Sequence, residues 1–227
     1  MNIETFQQKV TRTFPDLGRK LLNSIHCTLG IGSELMEEVT MAQQTGDKVN
    51  LGEELADAQW YLANYATLHK IALPGNAHVF YHAGIPKKTI SDNLKIAIGR
   101  LQDFDKKELC YKKVVNEEIR RQTVLNLNSA IEFTAIKHDI NMAEYRQKVI
   151  DKLLDRYPLA TGFTEESAIN RNVVAERLIL EKSVLVAEGI MVQLTGEYSH
   201  TNLKRTPDPE TQGQVCSMEE GCESCGA

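Results

Sequence analysis

Apolar residues recur at helical spacing along most of this chain, and this periodicity limits the folds it can adopt. Two series show it most clearly, with steps of three, four and seven residues: Leu22, Ile25, Leu29, Met36 and Val39, then Leu51, Leu55, Ala58, Leu62 and Tyr65. Such spacing places apolar side chains on one side of an α-helix. No long stretch alternates with period two, so the sequence predicts an all-α fold rather than a sheet-based one.

The first two predicted helices are expected to form an antiparallel hairpin. The link between them, residues 45–49, is short, and helices joined by a short link pack antiparallel. Asn50 is the predicted N-cap of the second helix, because Glu53 follows it at the spacing of a capping box.

The remaining helices follow a break at residues 73–76. Helical periodicity resumes near Ile90 and continues to Ile131. A further helix is predicted to stop at residues 155–158, because a proline disfavours helical conformation at the residue before it. A last long helix is predicted to begin near Thr164, with two glutamates in its first turn, where they suit the helix dipole.

Composition limits the domain organisation and the partners. The 227 residues, 42% of them hydrophobic, suffice for one helical domain over residues 1–195, followed by a polar, turn-rich tail over 196–227. The net charge of −5 argues against a nucleic-acid-coating protein. No apolar run is long enough to span a bilayer, and no signal peptide is evident. An odd number of cysteines, five, is typical of a reducing compartment. We therefore predict a cytoplasmic protein, or one of the host cytoplasm if a phage encodes it.

Four acidic residues lie at matching positions on the two helices of the hairpin. Glu34 and Glu37 are three residues apart, as are Glu54 and Asp57, and that spacing places each pair on one helical face. If the helices pack side by side, the four carboxylates converge and repel one another. A hard divalent cation removes that repulsion, so the pattern predicts magnesium and a phosphorylated substrate.

A solvated acidic surface is the alternative interpretation, because acidic pairs at this spacing are common on exposed helices. Two observations count against it. Leu35, Leu55 and Trp60 are interleaved with the acids, and residues 21–47 contain no lysine to balance them.

The acidic segments resemble the signature of the MazG-like nucleotide pyrophosphohydrolases. That signature is Glu-x-x-Glu, then a dozen or more residues, then Glu-x-x-Asp and an apolar-aromatic run, here Trp60-Tyr61-Leu62. Residues 29–37 and 50–62 carry it, and its metal-binding positions fall on Glu34, Glu37, Glu54 and Asp57. A second block, residues 152–158 and 162–177, resembles the C-terminal part of bacterial and phage members.

The resemblance implies an all-α helical bundle of the NTP pyrophosphatase type. It implies magnesium-dependent hydrolysis of a (deoxy)nucleoside triphosphate to the monophosphate and pyrophosphate, in control or cleaning of the nucleotide pool. Mn²⁺ is a substitute for Mg²⁺, and a homo-oligomer is expected, with a dimer favoured. Two alternatives stay open. One is hydrolysis of an alarmone-type nucleotide, and the other is a non-catalytic helical oligomer that sequesters nucleotide or binds a partner.

Further candidates follow from this mechanism. Glu38 or Glu53 would orient the attacking water. Three basic residues are candidates to bind the pyrophosphate group: Lys112, Arg156 and Arg171. Trp60 and Tyr61 are candidates to contact the base. For the two arginines the alternative is binding to helix ends or carboxylates, and for Trp60 it is packing in the core.

Two segments carry features that the signature does not cover. Residues 90–140 are interpreted as a degenerate second hairpin that supplies cations to the site, or else its lysines form a solvated basic face: Lys106, Lys107, Lys112 and Lys113. The tail contains Cys216, Cys222 and Cys225. They are either part of a flexible segment or ligands of a zinc ion completed by His200 or a second subunit.

Overall fold

The computed structural model describes residues 1–74, 90–158 and 162–187. Every regular element within these ranges is helical, which confirms the all-α prediction. The α-helices are α1 (Ile3–Val10), α2 (Lys20–Ser33), α3 (Val39–Thr45), α4 (Lys48–Leu68), α5 (Ile90–Tyr111), α6 (Glu117–Lys137), α7 (Met142–Arg156), α8 (Glu165–Ile169) and α9 (Val173–Ala187). None of the described helices is both long and apolar enough to cross a membrane. The predicted tail and its cysteines lie outside the described residues.

Helices α2 and α3 are two parts of one helix, joined by a π-helical turn at Glu34–Glu38. Within this turn the amide of Val39 donates to the carbonyl of Glu34, five residues back, instead of four as in an α-helix. The backbone dihedral angles at Ser33 and Val39 remain helical. The chain therefore continues in one direction through the first acidic motif, while its side chains are rotated relative to those of a regular α-helix.

The predicted antiparallel hairpin is present, formed by α2 and α4. Contacts between the two helices run in opposite order along their sequences: Ser24 with His69, Gly30 with Tyr61, and Glu34 with Glu54. This arrangement brings the two acidic motifs to the same level of the bundle.

The predicted N-cap of α4 is wrong. Helix α4 begins at Lys48, and Asp47 caps it by accepting a hydrogen bond from the Asn50 amide at 3.0 Å. Asn50 therefore lies inside the first turn. The short aspartate side chain is as good a cap as asparagine and comes three residues earlier. Glu53 is not a capping residue but points into the bundle, where it is buried.

Helices α5 and α6 form a second pair, and α5 packs on α2. Asp105 of α5 accepts hydrogen bonds from the hydroxyls of Ser24 and Thr28 at 2.7 and 2.8 Å. The prediction of continuous helical periodicity from 90 to 131 is wrong at residues 112–116. Lys112 has a positive φ of 52°, and the Asn116 side chain caps the new helix.

Helix α7 crosses α4 at a close approach. A Cβ atom on Gly52 would lie 2.3 Å from the ring of Tyr145, so only glycine admits that ring. Helix α7 ends at Arg156, as predicted, and the next helix begins next to Thr164, also as predicted, with Thr164 as its N-cap. The predicted last long helix is nevertheless two helices, because α8 ends at Ile169 and α9 begins at Val173.

Candidate metal centre

The π-helical turn decides which side chains of the first acidic motif lie inside the bundle. Glu34 and Glu38 are half-buried, whereas Glu37 is exposed. After burial and the charge of Asp57, the nearby charge of Glu38 also raises the pKa of Glu34. A regular α-helix would have placed both Glu37 and Glu38 on the face of Glu34, whereas the wider turn keeps Glu38 there and leaves Glu37 exposed. Single π turns of this kind are frequent at functional sites.

The second acidic motif faces the first from α4. Glu54 is half-buried and shares a side-chain hydrogen bond with Glu34. Asp57, one turn further along, is close enough for its charge to raise the pKa of both glutamates. The structure therefore brings together Glu34, Glu54 and Asp57, while Glu37 stays at the exposed surface.

The two hydrogen-bonded glutamates hold protons more tightly than ordinary carboxyl groups. Burial, reinforced by the charge of Asp57, raises the pKa of Glu34 to about 7 and that of Glu54 to about 9. Two carboxyl groups form a hydrogen bond with each other only when one of them carries a proton. The pair therefore binds a proton at neutral pH, which is the response expected of acids held close together without enough positive charge.

One cation does reach these acids, and it comes from α7. Lys152 is 2% exposed, and its Nζ donates to Glu53 Oε1 at 2.8 Å and to Asp57 Oδ2 at 2.6 Å. Burial by itself lowers the pKa of Lys152, but Asp57 and Glu53 outweigh burial and raise it. Lys152 is therefore charged, and with Glu34, Glu53, Glu54 and Asp57 it forms what we call the carboxylate cluster.

Sequence reasoning did not single out Lys152 as a site residue. The available signal is its position on α7, where it follows Tyr145 and Val149 at helical spacing and so lies on the apolar face. A lysine on an apolar face requires a buried partner of opposite charge. Glu53, which the sequence indicated as an N-terminal capping residue, is one of the two partners.

The cluster is suited to a hard divalent cation by the chemistry of its donors. All of its potential ligands are carboxylate oxygens, and its four carboxyl groups exceed the single ammonium group. Within the described ranges, however, no three His, Cys, Asp or Glu side chains are arranged so that one metal ion contacts all of them. Asp57 is instead paired with Lys152.

Tyr61 lies beside the cluster, whereas Trp60 lies in the core. A Cβ on Gly30 would approach the Tyr61 ring to 2.4 Å, so the ring lies directly on the α2 backbone. Burial, together with the charges of Glu34 and Asp57, raises the pKa of Tyr61 to about 12. Trp60 is 8% exposed, and its indole N–H donates to Thr13 Oγ1 at 3.2 Å.

His26 is an aromatic neighbour of Tyr61 that sequence reasoning passed over. It is half-buried, and its ring lies 5.6 Å from that of Tyr61 and 5.5 Å from that of Phe14. Burial lowers the pKa of His26, so the ring is neutral at physiological pH. A neutral, partly exposed ring next to Tyr61 extends the aromatic surface beside the carboxylates.

The basic residues expected to bind phosphate have partners within the protein. Arg156 donates two hydrogen bonds to the buried Glu176, at 2.8 and 2.6 Å, and Arg171 approaches the same carboxylate at 3.2 Å. Lys112 is exposed and donates to the carbonyl of Leu109. These contacts match the alternative in which the two arginines bind a carboxylate.

The lysines of the second helical pair also bind locally. Lys106 and Lys107 both pair with Asp103 of their own helix, and Lys113 lies over the ring of Tyr111. Among the contacts of the described residues, the ammonium group that pairs with the acids of the carboxylate cluster is that of Lys152 on α7.

Comparison of the chain with protein-family models, with curated proteins and with solved structures yields no match in any of the three. A proposal for the function of this protein therefore rests on the geometry of the site and on the sequence pattern.

Proposed function

We propose that this protein is a magnesium-dependent hydrolase that converts a (deoxy)nucleoside triphosphate to the monophosphate and pyrophosphate. Its role would be the control or cleaning of the nucleotide pool. The observation that carries the proposal is the convergence of Glu34, Glu54 and Asp57 from two antiparallel helices. These are three of the four positions that the MazG-like signature assigns to metal. An enclosed surplus of carboxylates is costly without a cation.

Glu34, Glu54 and Asp57 would hold Mg²⁺, or Mn²⁺ in its place, with Glu37 available from the exposed edge. Bound there, the metal would neutralise phosphate charge and lower the pKa of a bound water. Glu53 is held by Lys152, whereas Glu38 is half-buried beside Glu34 and forms no ion pair within the part of the chain that the structure describes. Glu38 is therefore the better candidate to orient the attacking water and accept its proton.

The aromatic residues beside the cluster are proposed to receive the base. Tyr61 is half-buried next to Glu34, and the His26 ring continues its surface. Trp60 supports Tyr61 from within, since their rings meet edge to face at 4.9 Å. For the pyrophosphate group, Arg171 is more available than Arg156, because its side chain is 46% exposed and it makes one longer contact with Glu176. The exposed Lys112 remains a weaker candidate.

A homodimer is part of the proposal. The helix that carries Glu34 also presents Leu29 and Met36 to solvent, with exposed fractions of 61% and 49%. Exposed apolar groups of this size commonly mark a protein interface. Sedimentation velocity tests this. We expect the wild type to be a dimer and the Leu29→Glu variant to be a monomer, and a monomeric wild type would contradict the proposal.

One observation favours a second candidate, nucleotide sequestration without turnover. Lys152 pairs with Asp57, so the chain itself supplies a cation to these carboxylates. A protein of this kind would bind one nucleotide per site and then stop. Alarmone-type nucleotides remain alternative substrates for the hydrolase.

Pyrophosphate release from a panel of ribo- and deoxynucleoside triphosphates, with an alarmone included, tests the proposal. Release should require Mg²⁺, stop in EDTA and fall at least about a hundredfold in Glu54→Gln. Glu118→Gln is the matched control, since Glu118 is exposed on α6, and it should retain full activity. Nucleotide binding without release would support sequestration, and neither binding nor release would refute both candidates.

A further inference from the structure

We propose that Lys152 is a built-in counter-cation of the carboxylate cluster, which holds Asp57 when no metal is bound and releases it when a metal binds. The inference rests on the proposed metal site and assigns a residue to it that the MazG-like signature does not include. It makes Lys152 a positioning residue, because it acts on the metal through Asp57.

Lys152 forms a buried ion pair between two helices and not a surface ion pair. Its side chain is 3% exposed, against 12% for Glu53 and 24% for Asp57. Both contacts of Nζ join α7 to α4 across a separation of more than ninety residues in sequence. Charged hydrogen bonds of this length in a buried setting are strong, and losing one partner leaves the others without compensation.

The position of Lys152 conflicts with simultaneous metal binding through the same carboxylate oxygen. Nζ lies 2.6 Å from Asp57 Oδ2, so a metal ion bound to that oxygen would lie next to the ammonium group. An ammonium group and a divalent cation that share one carboxylate repel each other at such range. Metal binding through Asp57 Oδ2 therefore requires that Lys152 move away or keep only its contact with Glu53.

The alternative is that Lys152 serves only to join the two helices. Both roles predict a loss of stability when the charge is removed, and they differ in what a metal does afterwards. If Lys152 occupies the place of a cation, a divalent ion restores the stability that its removal costs. If Lys152 only joins helices, the lost stability does not return.

The experiment compares Lys152→Met with the wild type by thermal unfolding in EDTA and in Mn²⁺, and by calorimetric titration with Mn²⁺. In EDTA the variant should melt at a lower temperature, because Glu53 and Asp57 lose their buried partner. In Mn²⁺ it should regain most of the difference, and its Kd for Mn²⁺ should be at least about tenfold lower than that of the wild type.

Lys148→Met is the matched control. Lys148 is also buried on α7, one turn earlier, and its Nζ donates to the carbonyl of Leu180 at 2.5 Å and pairs with Glu144 at 2.9 Å. Its removal should lower the melting temperature in EDTA and in Mn²⁺ alike, with an unchanged Kd for Mn²⁺.

The outcomes separate this inference from the proposed function. If Mn²⁺ stabilises the wild type but restores Lys152→Met no better than Lys148→Met, the counter-cation role is refuted and the metal site stands. If Mn²⁺ binds neither the wild type nor Lys152→Met, the metal site itself is refuted, and the inference with it. Should Lys152→Met not fold, Lys152→Gln provides the same test, because its amide still donates hydrogen bonds without the charge.

Discussion

Replacing Glu54 by glutamine should stabilise the metal-free protein while abolishing its response to metal. Glu54 and Glu34 share a hydrogen bond inside the carboxylate cluster. Because a carboxylate only accepts hydrogen bonds, one of the two side chains must be protonated. A glutamine amide donates the same hydrogen bond without requiring a proton from solvent. The substitution therefore removes one carboxylate from a cluster that has too many.

The magnitude follows from the two raised pKa values. In the folded protein the pKa of Glu34 rises from 4.5 to about 7, and that of Glu54 from 4.5 to about 9. Each pH unit corresponds to about 1.4 kcal/mol, so the raised pKa of Glu54 costs the folded state at least about 3 kcal/mol at pH 8. We expect Glu54→Gln to gain an amount of this order at pH 8.

The sign of the pH dependence is also determined. Above pH 4.5 the unfolded chain releases protons that the folded cluster retains, so the contribution of the pair to the free energy of unfolding falls as pH rises. That fall continues until the pH passes the folded pKa of Glu54, about 9. The histidines with lowered pKa values titrate in both proteins, so they cancel in the difference between wild type and variant.

Urea unfolding of both proteins in EDTA, from pH 5 to pH 9, measures this difference. The variant should be close to the wild type in stability near pH 5 and more stable by about 3 kcal/mol at pH 8. Addition of Mg²⁺ should stabilise the wild type only. A variant that is less stable than the wild type at pH 8, or a difference that does not change with pH, would refute the electrostatic account of the cluster.

Three further predictions concern single positions. Gly30→Ala should lower the free energy of unfolding by about 1–2 kcal/mol in urea titrations, because its Cβ would displace the Tyr61 ring, and an unchanged value would contradict that contact. Glu38→Gln should reduce catalytic turnover more than Glu37→Gln does, since the π turn leaves Glu37 exposed; equal effects in a pyrophosphate-release assay would count against that role of the turn. Asp47→Ala should cost about 1 kcal/mol through loss of the α4 cap, measured by thermal unfolding, and no loss would argue against the cap.

Much of the fold could be predicted from the sequence, because helical periodicity and short links are local signals. The apolar series beginning at Leu22 and Leu51 correspond to α2 and α4, and the link between these helices produces the antiparallel hairpin. The errors fall at helix ends. Asn50 and Asp47 are both good caps, and spacing alone does not decide between them. Residues 112–116 interrupt a pattern that reads as continuous.

The candidate site was less accessible to sequence reasoning, for two physical reasons. Spacing rules assume a regular α-helix, so they place Glu37 as well as Glu38 beside Glu34, whereas the π turn leaves Glu37 exposed. Lys152 reaches the cluster through tertiary packing of α7 on α4. Its helical spacing indicates burial beside some acid, but no local pattern shows which acids it meets.

The products of a single reaction test the central claim most directly. One deoxynucleoside triphosphate that the protein hydrolyses should be incubated with it and Mg²⁺, and the monophosphate, diphosphate, pyrophosphate and orthophosphate should be quantified. The account predicts monophosphate and pyrophosphate in equal amounts, with neither formed in EDTA or by Glu54→Gln. Diphosphate with orthophosphate, or product formation that persists without metal, would contradict it.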